Sequence, residues 1–384
     1  MKSKIHNNNY KVLTDIKSLE FNSKIYIWGA GETGQEFYTH IRKNRPDLEV
    51  LGFIDSYKNG NYCGLKVFKP EQLLKDPNPM LIICSMFWGE IIKIIGDFYS
   101  KNFLVLSNEI ICECSQLRSF GSFYFKESDS NSMNKRLDKL MPYFNTDHDR
   151  EIFQNLFNLR VNRQETMFMD YMNELCEKQN NSYKNKDKYV PNIKQKKIKH
   201  IIEGGMYDGE DTYNLLKIFK ESSEFKKIYS FEPYIDALRA GDFFNKIDFN
   251  KCEVVQKILW DSCEKLVFNV DKNNPGNSSI ERAEDVEVGD LEIHHSVTID
   301  DFAQKNNISV DLIKLDIEGA EINALMGAEK SIIKYKPFMA ISIYHRKQDM
   351  FEIPELLIKF DPNYRFSMSV SGPSFIDMVL NASC

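Results

Sequence analysis

No stretch of the 384-residue chain stays apolar long enough to cross a bilayer. The opening MKSKIHNNNYK also lacks the apolar segment of a secretory signal. A protein without a membrane span, working in the cytoplasm, is therefore expected. The eight cysteines are scattered, with only Cys112 and Cys114 close together and no CxxC. That argues against a disulfide framework and for reduced thiols. Positive charge is not in excess: a net charge of −6 and a pI near 5.8 give no reason to expect nucleic acid or an anionic membrane as the main partner. What remains is 42% hydrophobic and 28% charged residues, the composition of an ordinary globular protein, in a chain long enough for two domains.

The second half is organised around HIIEGGMYDGEDTYNLL, His200 to Leu216. Ile198, Ile201 and Ile202 make the apolar run of a buried central strand. Glu203-Gly204-Gly205 breaks it, Gly209 follows, and Thr212 opens an amphipathic helix with Leu215, Leu216 and Phe219 inside. Strand, glycine turn, helix is an order that leaves backbone N–H groups where a nucleotide-bearing ligand can approach.

The first half repeats that logic. Lys24 to Trp28 (KIYIW) is a strand running into Gly29-Ala30-Gly31-Glu32-Thr33-Gly34, a GxGxxG loop placed before a helix. A second strand, Leu48 to Asp55, ends in a carboxylate 55 − 34 = 21 residues past the last glycine. A dinucleotide fold needs an acid there for ribose hydroxyls. Met80 to Cys84 and Phe103 to Ser107 supply further strands, and residues 1 to about 22 read as a polar tail with a short helix. No Ser-Tyr-xxx-Lys set or other hydride-transfer machinery accompanies the loop. Residues 111–197 carry helical stripes (Ile152, Phe153, Leu156, Phe157; Phe168, Met172, Leu175) and then a polar Lys/Asn run. They read as a helical linker with a boundary near Pro191.

From Ile198 a βα rhythm sets in. Lys227 to Glu232 is its second strand, Cys252 to Trp260 its third with Asp261 at the tip, Val310 to Asp316 its fourth and Pro337 to His345 its fifth. An acid such as Glu232 at the second tip suits a ribose, and the Trp260 ring with the Asp261 carboxylate suits an adenine. Two late strands without an intervening helix should pair as an antiparallel hairpin. The fold expected is α/β: a small Rossmann-like domain at 1–110, the linker, and at 198–384 a seven-stranded, doubly wound sheet with an antiparallel edge hairpin.

Two resemblances sharpen these expectations. The Gly29, Gly31, Gly34 loop and the Gly52-Phe53-Ile54-Asp55 strand end are similar to the N-terminal domain of PglD-type sugar acetyltransferases. That implies a nucleotide- or nucleotide-sugar-binding domain. Residues 198–384 resemble the FkbM family of S-adenosylmethionine-dependent O-methyltransferases through GGMYDGEDT, YSFEP, LWD, TIDDF, DLIKLDIEGAE and KPFMAISIYH. Glu203 and Met206 stand where that family usually has Asp and Ala. The resemblance implies that Glu203, Gly205 and Gly209 line the methionine part of the donor, that Glu232 holds its ribose and that Asp261 meets its adenine. Tyr207, Thr212 and Trp260 complete the site. It also implies a nucleotide-activated or glycan-linked sugar as acceptor, in surface-polysaccharide synthesis by a possible homo-oligomer. Two other readings are an NAD(P)-dependent sugar oxidoreductase using the Gly29 loop, and a non-catalytic nucleotide-sugar-binding scaffold.

The chemistry falls to groups past the fourth and fifth strands. His345 is the expected base, because an imidazole titrates near neutral pH. Asp316 and Glu318 are expected to orient it or the acceptor. The three could instead hold a divalent cation.

Overall fold

The computed structural model describes residues 10–73, 80–85, 87–95, 103–114, 122–178, 197–269, 279–282, 291–370, 372 and 374–384. The chain divides into two compact units, Met1–Tyr124 with Arg163–Lys178, and Phe125–Asn162 with Gln179–Cys384.

The first unit is built on β1 (Lys11–Leu13), β2 (Lys24–Trp28), β3 (Glu49–Ile54), β4 (Gly60–Tyr62), β5 (Leu65–Phe68), β6 (Met80–Ile83) and β7 (Phe103–Leu106). They form one sheet in the order β1-β7-β6-β2-β3-β5-β4. Its neighbours run parallel except the β4–β5 hairpin. Ile25, Ile27, Phe53 and Ile82 share a core with Phe37 and Ile41 of the helix Glu32–Asn44. β1 replaces part of the expected polar tail, since three residues are too few to show a period of two. The helix starts hard against the glycine loop: a Cβ on Gly34 would lie 1.9 Å from the Gly29 carbonyl oxygen, whereas nothing lies within 4 Å of one on Gly31.

The second unit carries β8 (His200–Gly204), β9 (Lys227–Phe231), β10 (Cys252–Val255), β11 (Ile258–Leu259), β12 (Lys265–Asn269), β13 (Ser279–Arg282), β14 (Leu291–Val297), β15 (Leu312–Leu315), β16 (Phe338–Ser342), β17 (Arg365–Val370) and β18 (Met378–Ser383). The main sheet has the order β10-β9-β8-β15-β16-β18-β17, with β18 antiparallel to both β16 and β17. Every residue of β15 and β16 is buried, as helices on both faces of a parallel sheet require. The hairpin at one edge is the one expected from the sequence.

The third strand departs from expectation. β10 stops at Val255, the Lys257 N–H donates back to the Val255 carbonyl, and β11 joins a separate sheet, β11-β14-β12-β13. Trp260 and Asp261 therefore follow a two-residue strand of that smaller sheet rather than the tip of β10. The turn at 256–257 redirects the chain before the apolar run has ended.

The expected linker is also shared out. The helix Asp147–Arg160, capped reciprocally by Thr146 and Asp149, belongs to the second unit. There Phe153 meets Phe351 and the Asp149 carboxylate accepts the Met368 N–H at 2.8 Å. The helix Glu165–Lys178 belongs to the first unit, where Glu165 accepts from the Asn108 N–H and the Tyr124 hydroxyl, each at 2.8 Å. Arg163, at φ 56°, turns the chain between them. Pro191 lies outside the described residues.

Gly34→Ala should destabilise the protein by about 1–3 kcal/mol, because backbone blocks the new methyl group. Gly31→Ala should cost no more than about 1 kcal/mol, the loss of a good N-cap residue. Urea midpoints of the two variants check this, and equal midpoints would contradict the close approach at Gly34.

Candidate functional site

The glycine turn after β8 is supported from below by a buried lysine. Lys314 of β15, 1% exposed, donates to the Gly205 carbonyl at 2.8 Å, and its Nζ lies 3.7 Å from Glu203 and 3.3 Å from Asp211. Burial alone would pull its pKa down, but the Asp211, Glu203 and Asp316 carboxylates hold it above the usual lysine value. Glu203 is fully buried and accepts from the Thr212 and Ser230 hydroxyls at 2.7 and 2.5 Å. Burial pushes its carboxyl up, and Lys314 and the two hydroxyls oppose that. Glu203 and Thr212 thus stand behind the loop and hold it in place.

Only glycine fits at Gly205, where φ is +80° and a Cβ would sit 1.8 Å from the Asp316 carbonyl oxygen. Tyr207 takes the left-handed region at φ 46° and is 46% exposed, and the helix Glu210–Phe219 starts from Gly209. Glu232, just past β9, closes the loop. One of its oxygens accepts the Met206 and Tyr207 N–H groups at 3.2 and 3.1 Å, and the other accepts the Tyr234 N–H at 3.0 Å. Its burial raises its pKa.

Trp260 packs with Ile258, Leu266, Ala320, Tyr234 and Ile317. Ile317 Cγ2 comes within 3.4 Å of a Gly205 Cβ, which links the indole to the glycine turn. The Trp260 Nε1 is buried without a hydrogen-bond partner among the described residues. Asp261 accepts from Asn323 Nδ2 at 2.7 Å and from the Ser262 hydroxyl at 2.8 Å.

A second group gathers beyond β15 and β16. His345 is 4% exposed. Its Nε2 lies 3.4 Å from both Asp316 Oδ1 and Glu318 Oε2, and its Nδ1 lies 2.9 Å from Glu321 Oε1. The turn after β15 makes this possible. Glu318 takes φ 53° and Gly319 φ 96°, an arrangement that costs energy at a residue with a side chain. Asp316 also accepts from the Tyr344 hydroxyl at 2.9 Å, and Arg160 donates to the Tyr344 and Arg346 carbonyls on either side of His345 at 2.8 and 3.0 Å.

Burial would lower the His345 pKa, but Glu321, Glu318 and Asp316 raise it to about 10. At neutral pH the ring is an imidazolium, and the reason for expecting a neutral base, its ordinary value near 6.5, does not hold in this setting. Glu318 is raised as well, to about 7, by desolvation of its carboxyl against the pull of His345. Asp349, fully buried, is raised to about 7 by burial and by Glu321.

The structure thus brings Asp316, Glu318 and His345 together as the sequence suggested, and adds Glu321, Asp349 and Arg160. Glu321 stood inside a quoted motif, but nothing in its spacing showed that it faces the ring. Asp349 follows His345 by 349 − 345 = 4 positions, but His345 lies outside the helix that Asp349 opens, so the spacing carried no signal. Arg160 sits 184 residues from Tyr344 and had no local signal.

In the first unit Asp55 serves its own loop. It accepts the Ala30 N–H at 3.0 Å and the Tyr57 and Lys58 N–H groups at 2.8 Å each. Burial opposes these bonds, yet they hold its carboxyl below the usual range. Gly29 and Gly34 are packed against backbone, and Gly31 faces open space.

Residues 203–368 match the family model for the methyltransferase FkbM domain. This stretch of the chain is thus similar to the FkbM methyltransferase domain. Among solved structures, the methyltransferase FkbM from Methylobacillus flagellatus KT is 16% identical, with 94% of this chain and 90% of that one covered at a TM-score of 0.63; the likeness is one of fold. A fibrillarin/Nop5p complex is 13% identical over 49% of this chain and 73% of that one, with a TM-score of 0.29. The SAH-bound Podospora anserina methyltransferase PaMTH1 is 13% identical over 67% and 96%, with a TM-score of 0.28. Both likenesses are too slight to carry an argument. No curated protein matches the sequence.

The His345 cluster implies a definite pH dependence. His345 rises from 6.5 unfolded to about 10 folded, so its contribution is complete below about pH 6.5 and is lost as pH rises towards about 10. Glu318 and Asp349, raised from 4.5 and 3.8 to about 7, also favour the fold at low pH and lose that contribution as pH rises to about 7. Metal-free protein should therefore lose stability steadily from about pH 5 to about pH 10, and Asp349→Asn should flatten the lower part of that fall. Denaturant melts across pH check this; a wild-type stability that climbs through pH 7 would overturn the assignment.

Proposed function

We propose that the protein is an S-adenosylmethionine-dependent O-methyltransferase acting on a sugar hydroxyl, in a nucleotide-activated or glycan-linked sugar, during the synthesis of a surface polysaccharide. One observation carries the reading. Within a stretch similar to the FkbM methyltransferase domain, a glycine turn closed by Glu232 and a cluster of carboxylates around His345 lie beyond the carboxyl ends of the same parallel strands, β8, β9, β15 and β16.

The residues present fit such a donor. A side chain at Gly205 would fill the turn, the buried Trp260 N–H has no partner among the described residues, and Glu232 presents a carboxylate at the end of the second strand. Gly205, Tyr207 and Gly209 would hold the methionine part, Glu232 the ribose, and Trp260 with Asp261 the adenine, while Glu203 and Thr212 keep the loop in shape. When bound, the donor supplies a methyl group on a sulfonium centre, already activated for displacement.

The protein must align the acceptor oxygen and take its proton. Glu318 is suited to the second task, since a group near pH 7 is both partly ionised and basic enough at neutral pH. His345, held as imidazolium by Glu321, fixes Glu318 and Asp316 in place, and the Tyr344 hydroxyl orients Asp316. The first unit is assigned the binding of a nucleotide or sugar, as part of the acceptor or as a regulatory nucleotide, at the open position beside Gly31.

Glu232→Ala should weaken S-adenosylmethionine binding by about 1.5–3 kcal/mol, roughly 10- to 150-fold, the value of hydrogen bonds to a charged group. Glu318→Gln and His345→Gln should bind the donor normally and lose most turnover. Calorimetry with S-adenosylmethionine, NADH and nucleotide sugars, followed by a mass-spectrometric screen with labelled donor, checks each part. Tight NADH binding without donor binding would replace this reading with the oxidoreductase.

A further inference from the structure

We propose that the pocket beyond β15 and β16 is a divalent-cation site, with Asp316, Glu318 and the Nε2 of His345 as ligands and Glu321 behind the ring. The inference deepens the methyl-transfer reading and rests on it only for what the ion does.

Three observations support a cation. His345 is 4% exposed, and among the described residues neither ring nitrogen has a partner in good hydrogen-bond geometry, although Nδ1 lies 2.9 Å from Glu321 Oε1. The Nε2 is aimed between Asp316 Oδ1 and Glu318 Oε2, 3.4 Å from each. Neighbouring ligand atoms around an octahedral ion with bonds of about 2.1 Å are roughly 3 Å apart, so the Asp316 and Glu318 carboxylates would have to close on the ion to complete a three-ligand face. Second, Asp316, Glu321 and His345 form a group whose ligand atoms all lie within 4.8 Å of one another; Glu318 stands outside that group, with its Oε2 3.4 Å from Nε2. Third, the negative charge behind the ring is poorly satisfied: Glu321 and Asp349 are fully buried, and Glu321 Oε2 and Asp349 Oδ1 have no hydrogen-bond partner among the described residues. A buried carboxylate oxygen without a donor is costly, and a nearby cation offsets that cost.

The two sides of the ring differ in a way that places the ion. The Asp316 and Glu318 side chains keep 18% and 37% exposure on the Nε2 side, which leaves a route for the ion and room for water and an acceptor oxygen. Glu321 is fully buried on the Nδ1 side, 2.9 Å away, and one of its oxygens already takes the Ile317 N–H. A carboxylate on Nδ1–H fixes the tautomer that presents Nε2 to a metal, the usual outer support of a ligating histidine. Two carboxylate oxygens, one imidazole and open positions for water suit Mn2+ or Mg2+. Binding there would release the Nε2 proton and turn Glu318 from base to ligand; the ion would then hold the acceptor oxygen and make its hydroxyl easier to deprotonate.

The test uses the full chain, stripped with chelator and titrated with MnCl2 while free Mn2+ is read by electron paramagnetic resonance, with neither donor nor acceptor present. The expected result is one Mn2+ per chain, weakened at least tenfold by Glu318→Gln and by Asp316→Asn, and about 10- to 100-fold by Glu321→Gln. Glu318→Gln changes a partly exposed side chain, so it keeps the test decisive if the buried Glu321 variant fails to fold. Absence of Mn2+ binding, or equal affinity in Glu318→Gln, would overturn the site. Methyl transfer that survives chelation in a protein that binds no Mn2+ would remove the ion and leave the transfer. Mn2+ binding as expected, in a protein that binds no S-adenosylmethionine, would keep the site and remove the transfer.

Discussion

The placement of Lys314 is the constraint on which the second unit depends. Its ammonium group is buried on the central strand β15, within reach of Glu203 on β8, Asp211 on the following helix and the Gly205 carbonyl of the turn between them. A buried charge is tolerated only with such partners, and removing one typically costs roughly 3–5 kcal/mol. The lysine therefore fixes the path of the glycine turn relative to β15. Asp316 lies two residues further along the chain, just past the end of β15, and its carbonyl oxygen blocks any side chain at Gly205. The loop and the carboxylate cluster are thus held to one strand end, so neither can shift alone.

The two units share a device. In each, an acid past the second strand of a strand–glycine-turn–helix unit accepts three backbone N–H groups: Asp55 from Ala30, Tyr57 and Lys58, and Glu232 from Met206, Tyr207 and Tyr234. Loops so tight leave N–H groups with no partner in a helix or strand, and a carboxylate is a strong acceptor for them. An acid at this position has a structural task whether or not a ribose is bound. A sugar hydroxyl there would share oxygens already in use, which ties ligand binding to the shape of the loop.

The electrostatics of the His345 pocket run opposite to those around Lys314. There one cation faces two carboxylates and a carbonyl, and one Glu203 oxygen takes two hydroxyls while the other has only the ammonium group 3.7 Å away. Around His345, four carboxylates gather at one imidazole, and two of their oxygens have no hydrogen-bond partner among the described residues. The first arrangement is a finished structural core. The second stores negative charge at the mouth of a strand end, where a proton, a cation or a polarised hydroxyl can relieve it.

Much of the architecture was legible from residue pattern alone. Buried runs such as IKL at 313–315 and MAIS at 339–342, glycine turns and the late hairpin are local signals, because strand period and turn chemistry act over a few residues. The glycine loop, Glu232 and the trio Asp316, Glu318 and His345 were legible for the same reason. What only the tertiary structure decided depended on contacts distant in sequence. The chain leaves β10 at Val255 because β14 offers Ile258 and Leu259 a partner, and Arg160 braces a loop 184 residues away. The charge on His345 was settled there too: an imidazole's ordinary value is a property of the residue, but three carboxylates around a buried ring are a property of the fold.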